Sequence, residues 1–402
     1  MALTKLTKNL IDGTFGTEWV SSIQTSNFTA EAAKGYFVNT TSAAITVTLP
    51  VGVVGIEIVI QDYAGTFATN KVVFASNGSE KIQGSTDDFK CSINNATVTL
   101  IYQDATKGWT ADNIVTNAVP LVVSYLVLAG GGGSGSGYAG VGGAGGGAGG
   151  LRSSYGSTGG GPAWANENTF SLVQSTNYTI TIGAGGATAP MVTNGRGVSG
   201  SNSEFNTITS VGGGSGTSYI NGNVGGSSQS GGSGGGGTYQ NITAGSAVSS
   251  PVVHGYNGGA GTIANPAYGG GGGGGAGGLG AAGTSSTGGN GGLGLQVNID
   301  NNNYYYAGGG GGGADGTPGS GGSGVGGNGA VANTIGYNAT PYRGSGGGGA
   351  GTSSTGGNGS GGVVILRYPS TYTISGLSGS TITSGTDKIT TFNSGTGNIQ
   401  FN

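Results

Sequence analysis

The 402-residue sequence contains one cysteine, one histidine and nine prolines, and each shortage excludes a class of protein. Cys91 alone can form neither an intrachain disulfide nor a cysteine-rich zinc site. His254 is the sole histidine, which excludes the metal motifs that need two histidines. Nine prolines are too few for a collagen triple helix, which also needs glycine at every third position. We therefore expect no metal and no cofactor.

Charge is also scarce, since 12 basic and 15 acidic residues make up only 7% of the chain and give a net charge of −3. Nucleic-acid binding depends on clustered lysine and arginine, and only three arginines and no lysine lie between positions 130 and 362. We expect no nucleic-acid partner. The most apolar run, 121–129, is far shorter than the roughly 20 residues that cross a bilayer, and the first ten residues lack an apolar signal core. The sequence predicts a protein that is not inserted in a membrane.

Glycine is what the sequence has in excess: 84 of the 98 glycines lie between positions 130 and 362. Several runs place glycine at every third position, in three registers: Gly137, Gly140, Gly143, Gly146 and Gly149; Gly271, Gly274, Gly277, Gly280 and Gly283; and Gly310, Gly313, Gly316, Gly319 and Gly322. A period of three fits polyglycine II, in which a run of about twelve residues would reach ~37 Å at a rise of ~3.1 Å per residue. The alternative for such a tract is a flexible linker.

Polyglycine-II segments make no internal hydrogen bonds, so their N–H and C=O groups must bond to neighbours. Fixing a residue costs ~1–2 kcal/mol of backbone entropy, whereas one hydrogen bond contributes only ~0.5–1.5 kcal/mol. We therefore expect a packed bundle of segments. Apolar strands at 121–128, 178–182 and 363–368 would add the hydrophobic burial that such a bundle needs.

Apolar residues alternate with polar ones at 45–49, 56–60 and 98–102, which is the pattern of half-buried strands. The predicted fold is all-β plus polyglycine II, with almost no helix. Four regions are predicted: a polar lead over 1–30, an N-terminal antiparallel β module over 31–117, a glycine-rich domain with exposed loops over 118–368, and a short C-terminal β region over 369–402. Alone, residues 1–117 can build only a small core, which suits association with further copies.

Polar, aromatic segments interrupt the glycine runs, and in a bundle of extended segments they should form exposed reversals at its ends. They are 153–169, 238–257, 262–268, 296–306 and 331–343. Tyr and Trp offer rigid amphipathic surface, and Ser, Gly and Asn offer adaptable hydrogen bonds, as in antibody loops. The candidate receptor-binding residues are Tyr155, Trp164, Tyr239, His254, Tyr256, Tyr268, Tyr304, Tyr305, Tyr306, Tyr337 and Tyr342. The alternative is that these side chains merely cover the ends of the bundle.

Residue types that support catalysis do not form a recognisable constellation. Cys91 lies in an apolar strand pattern, which favours a buried, inert thiol. Glu167 and Asp300 are the only carboxylates in the aromatic segments, and glycoside hydrolysis needs two carboxyls ~5–9.5 Å apart. We therefore expect no enzyme, although a capsule-degrading hydrolase stays open as an alternative.

Several motifs carry a resemblance to bacteriophage proteins. Residues 2–13 are similar to the start of many tail-fibre and tailspike proteins, and 36–50, 62–66 and 100–109 resemble a β module of marine-phage fibres. The sequences at 125–133, 147–152, 178–186 and 361–368 are similar to the glycine-rich domain of phage structural proteins. The chain also resembles the tip adhesins of T-even-type long tail fibres, in which polyglycine-II helices form a sandwich and variable loops bind receptors.

The resemblance implies a virion protein of the tail, synthesised in the host cytoplasm and assembled as a homotrimer. Its N-terminal region would dock to other phage tail or baseplate proteins. Its loops would bind a host surface polysaccharide or an outer-membrane protein. A capsid-surface fibre or decoration protein with a structural role is the alternative. Unlike the tip adhesins of T-even-type long tail fibres, this chain carries its own β module and a further strand-rich tail.

Overall fold

The computed structural model describes residues 17–402 except 117–120, 157, 160–165, 192–195, 221–222, 225–226, 241–242 and 265–266. The chain forms two compact units, Met1–Pro120 and Leu121–Asn402. In the described ranges the structure is almost entirely extended, and its helical content is one 3-10 turn at Gly322–Gly324. No helix in these ranges is long and apolar enough to cross a membrane. The expected all-β class is confirmed.

The first unit contains nine strands: β1 (Glu18–Trp19), β2 (Phe28–Thr29), β3 (Lys34–Val38), β4 (Ile45–Thr48), β5 (Glu57–Asp62), β6 (Val72–Ala75), β7 (Phe89–Cys91), β8 (Ala96–Asp104) and β9 (Gly108–Thr116). They form a five-stranded sheet in the order β1-β3-β5-β8-β9 and a four-stranded sheet in the order β2-β4-β6-β7. The alternating runs predicted at 45–49, 56–60 and 98–102 fall in β4, β5 and β8.

Strand direction in this unit corrects one expectation from the sequence. β3 pairs in parallel with both β1 and β5, and β4 pairs in parallel with both β2 and β6. β8 pairs antiparallel with β5 and β9, and β7 pairs antiparallel with β6. The module is therefore mixed and not antiparallel. Alternation reveals which residues face the core, but it carries no information about strand direction.

A single apolar cluster forms the core of the first unit. It includes the fully buried Trp109, Phe67 and Phe74 together with the inward positions of β4, β5 and β8. Cys91 is buried in this cluster, as its apolar surroundings in the sequence predict. Burial raises the pKa of its thiol, which keeps it uncharged.

The second unit, which we call the glycine-rich unit, contains fifteen strands: β10 (Val122–Leu128), β11 (Leu151–Ser153), β12 (Phe170–Ser171), β13 (Tyr178–Thr181), β14 (Ser203–Phe205), β15 (Ile208–Ser210), β16 (Tyr219–Ile220), β17 (Asn223–Val224), β18 (Leu295–Gln296), β19 (Tyr305–Tyr306), β20 (Val363–Pro369), β21 (Ile374–Gly376), β22 (Ser380–Ser384), β23 (Asp387–Phe392) and β24 (Thr396–Phe401).

Two of its sheets pack face to face. One has the order β11-β10-β20-β23-β22, with β12 also paired to β10, and the other has the order β15-β14-β13-β24-β21. Their shared core contains Tyr125, Leu366, Phe205 and Phe401. β23 and β24, which follow residue 369, pair with β20 and β13, so the C-terminal strands complete both sheets. The opposite face of the first sheet is covered by Val297, Ile299 and Tyr306 from the β18–β19 hairpin and its connection.

Extended glycine segments continue from these strands and bond to one another with a three-residue repeat. Segment 130–137 shows it clearly, because every third N–H of this segment donates to the same neighbour. One such set donates to segment 354–360: Gly131 to Ser360 (2.9 Å), Ser134 to Gly357 (3.2 Å) and Gly137 to Ser354 (3.0 Å). A second set donates to the central segment: Gly132 to Gly147 (2.8 Å) and Gly135 to Ala144 (2.8 Å). This is the period of polyglycine II.

Segment 142–150, which we call the central segment, is buried throughout and bonds to six other segments of the described chain. It donates to 268–274, 344–350 and 211–217, with the donors three residues apart in each case. It accepts from 129–135, 233–236 and 310–313. A Cβ atom at Gly146 would lie 2.1 Å from the carbonyl oxygen of Gly132, so the lattice requires glycine there. The expected bundle of polyglycine-II segments is therefore present.

The length expected for each run is wrong. Gly137 and Gly143 belong to different segments because the chain reverses between them, at Tyr138–Val141, where Gly140 has a φ of +84°. Bends at 276–278 and 315–316 divide the other two registers in the same way. Glycine adopts extended and turn conformations with equal ease, so the spacing of glycines does not mark where a segment ends.

Candidate functional site

The hydrogen-bond registers give the glycine-rich unit two opposite ends. At the strand end, segments 130–137, 183–189 and 354–361 join β10, β13 and β20. At the turn end, segment 130–137 and the central segment meet at the reversal 138–141, and other lattice segments reverse at 285–286 and 315–316. The aromatic segments expected at the ends of the bundle therefore divide into two sets that lie apart.

Three partly exposed tyrosines come together at the turn end, and we call them the tyrosine cluster: Tyr219, Tyr239 and Tyr268. The ring centroids of Tyr239 and Tyr268 are 4.1 Å apart, with a tilt of 34° between the rings. The Tyr219 ring meets the Tyr239 ring edge-on, with the centroids 5.2 Å apart. Burial, and then the neighbouring Tyr239, raise the pKa of Tyr268, so its hydroxyl stays protonated at neutral pH.

The lattice holds this cluster in place through the backbone. The N–H of Tyr268 donates to the carbonyl of Gly140 (3.1 Å), and its carbonyl accepts from the N–H of Gly142 (2.9 Å). Sequence reasoning found Tyr239 and Tyr268 but missed Tyr219. The signal was the Asn221-Gly222 dipeptide after Tyr219 in the sequence, which is typical of a hairpin, and β16 and β17 do pair antiparallel on either side of it.

A second aromatic group lies at the strand end. Tyr304 and Tyr305 project from the β18–β19 hairpin, and Tyr342 lies in a turn nearby; Tyr304 is 44% and Tyr342 50% exposed. The guanidinium carbon of Arg343 lies 3.9 Å from the centroid of the Tyr304 ring, a cation–π contact. These side chains are accessible, but they are separated from the tyrosine cluster by the length of the lattice segments.

Two candidates are buried, which corrects the expectation that they lie in exposed loops. His254 is 1% exposed, and its Nδ1 accepts from the N–H of Val211 (3.3 Å) while its Nε2 has no partner among the described residues. Burial, aided by the charge of Arg152, lowers its pKa to about 4. Tyr306 faces the core beneath β10 and β20, where burial and then Asp300 raise the pKa of its hydroxyl. The side chains of His254 and Tyr306 each combine a ring with polar atoms, and such residues occur both in cores and on surfaces. Their residue type therefore does not predict whether they are buried.

The remaining candidates lie apart from both groups. Tyr155 is half-buried against the strand-end core, with the Arg367 guanidinium 5.4 Å from the centroid of its ring. Tyr256 is partly exposed, and its N–H donates into the lattice at Gly275 (2.9 Å). Tyr337 is 63% exposed on a lattice segment, where its N–H donates to Asn328 (3.0 Å). Trp164 lies outside the described residues.

The carboxylates considered for catalysis have structural partners. Glu167 forms a largely buried ion pair with Arg152, whose Nε donates to Oε1 (2.9 Å), and it also accepts from Tyr125 (3.3 Å) and Thr158 (3.3 Å). Asp300 accepts from the hydroxyl of Tyr306 (3.4 Å) in the hairpin connection. A search of the described residues finds no group of His, Cys, Asp and Glu able to hold a metal ion.

Comparison with known proteins places this architecture in a family. The family model described as a glycine-rich domain matches residues 106–369, which include the central segment, the tyrosine cluster and both strands β10 and β20. A search of curated proteins finds no match. The matched region covers well over half of the sequence. The chain therefore belongs to the glycine-rich domain family.

Proposed function

We propose that this protein is a non-enzymatic bacteriophage tail fibre that adsorbs to a host-surface polysaccharide or outer-membrane protein through the turn end of its glycine-rich unit. One observation carries the proposal: the tyrosine cluster lies on a hydrogen-bonded lattice at the turn end. The opposite end of the lattice holds β10, the strand with which the chain enters this unit. The resemblance of residues 2–13 to the start of tail-fibre and tailspike proteins, and of 361–368 to the glycine-rich domain of phage structural proteins, supports the same assignment.

The physical reason is preorganisation. Binding loses affinity when loops and side chains must be ordered, and the backbone of Tyr268 is already bonded on both sides. Tyrosine has few rotatable bonds, and its ring and hydroxyl can contact apolar and polar groups of a ligand together. A scaffold with so few charges also adds little nonspecific electrostatic attraction.

Assembly and location follow from the same proposal. The fibre would be a homotrimer in the virion tail, attached to tail or baseplate proteins through its N-terminal region. The alternative is a location on the capsid surface, with a structural role. Labelling intact virions with an antibody against this chain distinguishes the tail from the capsid surface. The hydrolase alternative has little support, because Glu167 is occupied by Arg152, Tyr125 and Thr158.

The test compares the two ends of the glycine-rich unit in virions that carry variants of the full chain. Replacing Tyr239 and Tyr268 with serine removes the turn-end rings, and replacing Tyr304 and Tyr305 with serine is the matched control at the strand end. We expect the turn-end pair to lower the adsorption rate constant about tenfold or more, as for loss of a binding hot spot. The control pair should change it less than about twofold. Thermal unfolding of each purified variant checks that the fold is kept, and normal adsorption of a folded turn-end variant overturns the proposal.

A further inference from the structure

Strand β22 is an open edge of the sheet β11-β10-β20-β23-β22. Ser380, Thr381, Ile382 and Thr383 are all exposed, so both faces of the strand are accessible as well as its edge. The opposite edge strand of the same sheet, β11, is buried throughout. β22 is therefore the edge of this sheet that can accept another strand.

The hairpin geometry shows which backbone groups of β22 are free. Ser384 and Asp387 close a two-residue turn, so the N–H and C=O groups of Ser384, Ile382 and Ser380 point to β23. Those of Thr381 and Thr383 point away from the sheet. In the described chain, no backbone group of another segment bonds to the N–H and C=O groups of Thr381 and Thr383. Two donors and two acceptors, separated by one residue, are thus available along this edge.

The sequence of the edge does not protect it. Exposed edge strands normally carry charged residues, proline or a bulge, which prevent pairing with another chain. β22 reads Ser-Thr-Ile-Thr-Ser and has none of these, and the β-branched residues at its centre favour a strand. Ile382 lies opposite the buried Ile389 and is itself 51% exposed, so an apolar side chain continues the packed face to the open edge.

The sequence is also the same in both directions, from Gly379 to Gly385. An antiparallel pair of two such strands, related by a two-fold axis at Ile382, sets Ile382 opposite Ile382 and Thr381 opposite Thr383. Cross-strand threonine pairs are favourable, and no like charges meet. The free groups of Thr381 in one copy then face those of Thr383 in the other, which completes both pairs of hydrogen bonds.

We propose that β22 pairs antiparallel with β22 of a second copy of this chain, about a two-fold axis at Ile382, so that one sheet runs through both molecules. The occupant is a second copy because the edge is complementary to itself in register, in side-chain size and in charge. An isologous contact of this kind joins chains two at a time. The inference does not depend on the proposed function: the contact lies away from the tyrosine cluster, and it would join in pairs either single chains or the proposed homotrimers.

The test uses disulfide trapping in the full chain. Two Ile382 Cα atoms facing each other would be about 4.5 Å apart, the distance of a non-hydrogen-bonded antiparallel pair, which is near the lower limit for a disulfide. The two Ser380 Cα atoms would be four residues apart along the strand, roughly 13 Å, which is too far. Under mild oxidation we expect Ile382→Cys to form a covalent dimer at least tenfold faster than Ser380→Cys. The parent chain is the control for its buried Cys91.

Sedimentation provides a second readout. Ile382→Lys places two like charges on the axis, and Ile382 is a surface residue, so the variant should fold and its assembly should have half the mass of the parent assembly. Equal trapping at both positions, or a parent mass that Ile382→Lys leaves unchanged, overturns the proposal. A trimeric mass that is the same for the parent chain and for Ile382→Lys would also overturn the pairing of β22 with β22.

Discussion

The interiors of the two units of this chain are filled in different ways. In the first unit, large side chains such as Trp109 and Phe74 fill the space between two sheets, and stability comes from removing apolar surface from water. Around the central segment, the space is filled by backbone itself, because glycine allows neighbouring chains to approach closely. The comparison teaches that a buried interior needs close packing and satisfied hydrogen bonds, but it does not need large side chains.

The difference has an energetic side. Hydrogen bonds of the lattice roughly offset the backbone entropy lost on ordering and contribute little more. The glycine-rich unit therefore also carries side-chain cores at its strand end, one between its two sheets and one beneath the β18–β19 hairpin. The lattice extends from these cores, and its far end holds the tyrosine cluster.

The largest expected effect breaks the side-chain core of the first unit. Phe74 is fully buried and stacks on Phe89 with the ring centroids 5.7 Å apart, so Phe74→Ala should cost about 3–5 kcal/mol of unfolding free energy. Urea unfolding followed by tryptophan fluorescence measures it, with the buried Trp109 as a reporter in this unit. The exposed Tyr63→Ala is the control and should stay within about 0.5 kcal/mol. Equal losses for the two variants would contradict a packed core.

A buried ionisable group in the glycine-rich unit gives the next effect. The folded state holds the pKa of His254 at about 4, below its ordinary value of 6.5, so the unfolded chain binds more protons between these pH values. The free energy of unfolding is therefore not reduced by protonation of His254 above about pH 6.5, and it falls as the pH drops towards about 4. The loss should be about 3 kcal/mol, measured by urea unfolding across this range.

His254→Asn is the control, since its side-chain oxygen can still accept from Val211 but cannot titrate. This variant should lose about 3 kcal/mol less than the parent over the same pH range. Parallel curves for the two proteins would show that His254 is accessible to water in the folded state.

The smallest effect tests the lattice directly. In Gly146→Ala the new methyl group would lie 2.1 Å from the carbonyl oxygen of Gly132, so the segments must move apart, at a cost of roughly 1–3 kcal/mol. In the control, Gly361→Ala, the nearest atom is the carbonyl oxygen of Gly183 at 3.7 Å, an ordinary contact. The melting temperature should fall clearly for the first variant and little for the second. Similar melting temperatures would mean that the lattice is loosely packed at the central segment.

The parts of the fold that depend on local patterns could be predicted from the sequence. β4, β8 and β20 follow runs of apolar and β-branched residues, and the Gly143, Gly146 and Gly149 register does face one neighbour, segment 344–350. Reversals could not be predicted, because a glycine in a turn and a glycine in an extended segment look the same. Parallel pairing of β3 with β5 was missed because alternation is the same for either direction.

The candidate site was predicted only in part. Composition singled out Tyr239 and Tyr268, since aromatic rings interrupt a glycine tract there. Their contact with each other and with Tyr219 depends on which segments lie side by side, and glycine segments carry no side chains that specify their neighbours. His254 and Tyr306 look like surface residues in the sequence, but His254 is buried against the backbone of Val211, and Tyr306 lies in a side-chain core at the strand end.

The three-residue repeat has a consequence for how the chain finds its native alignment. Where both neighbours are glycine, sliding one segment by three residues along the other restores the backbone hydrogen bonds except at its ends, so these bonds alone do not fix the alignment. The lattice alone is therefore degenerate in alignment. Strands β10, β13 and β20 remove the degeneracy, because each continues directly into a lattice segment and its apolar residues fit the sheet in one position only. The strand end thus acts as the reference point from which the position of every tyrosine at the turn end is set.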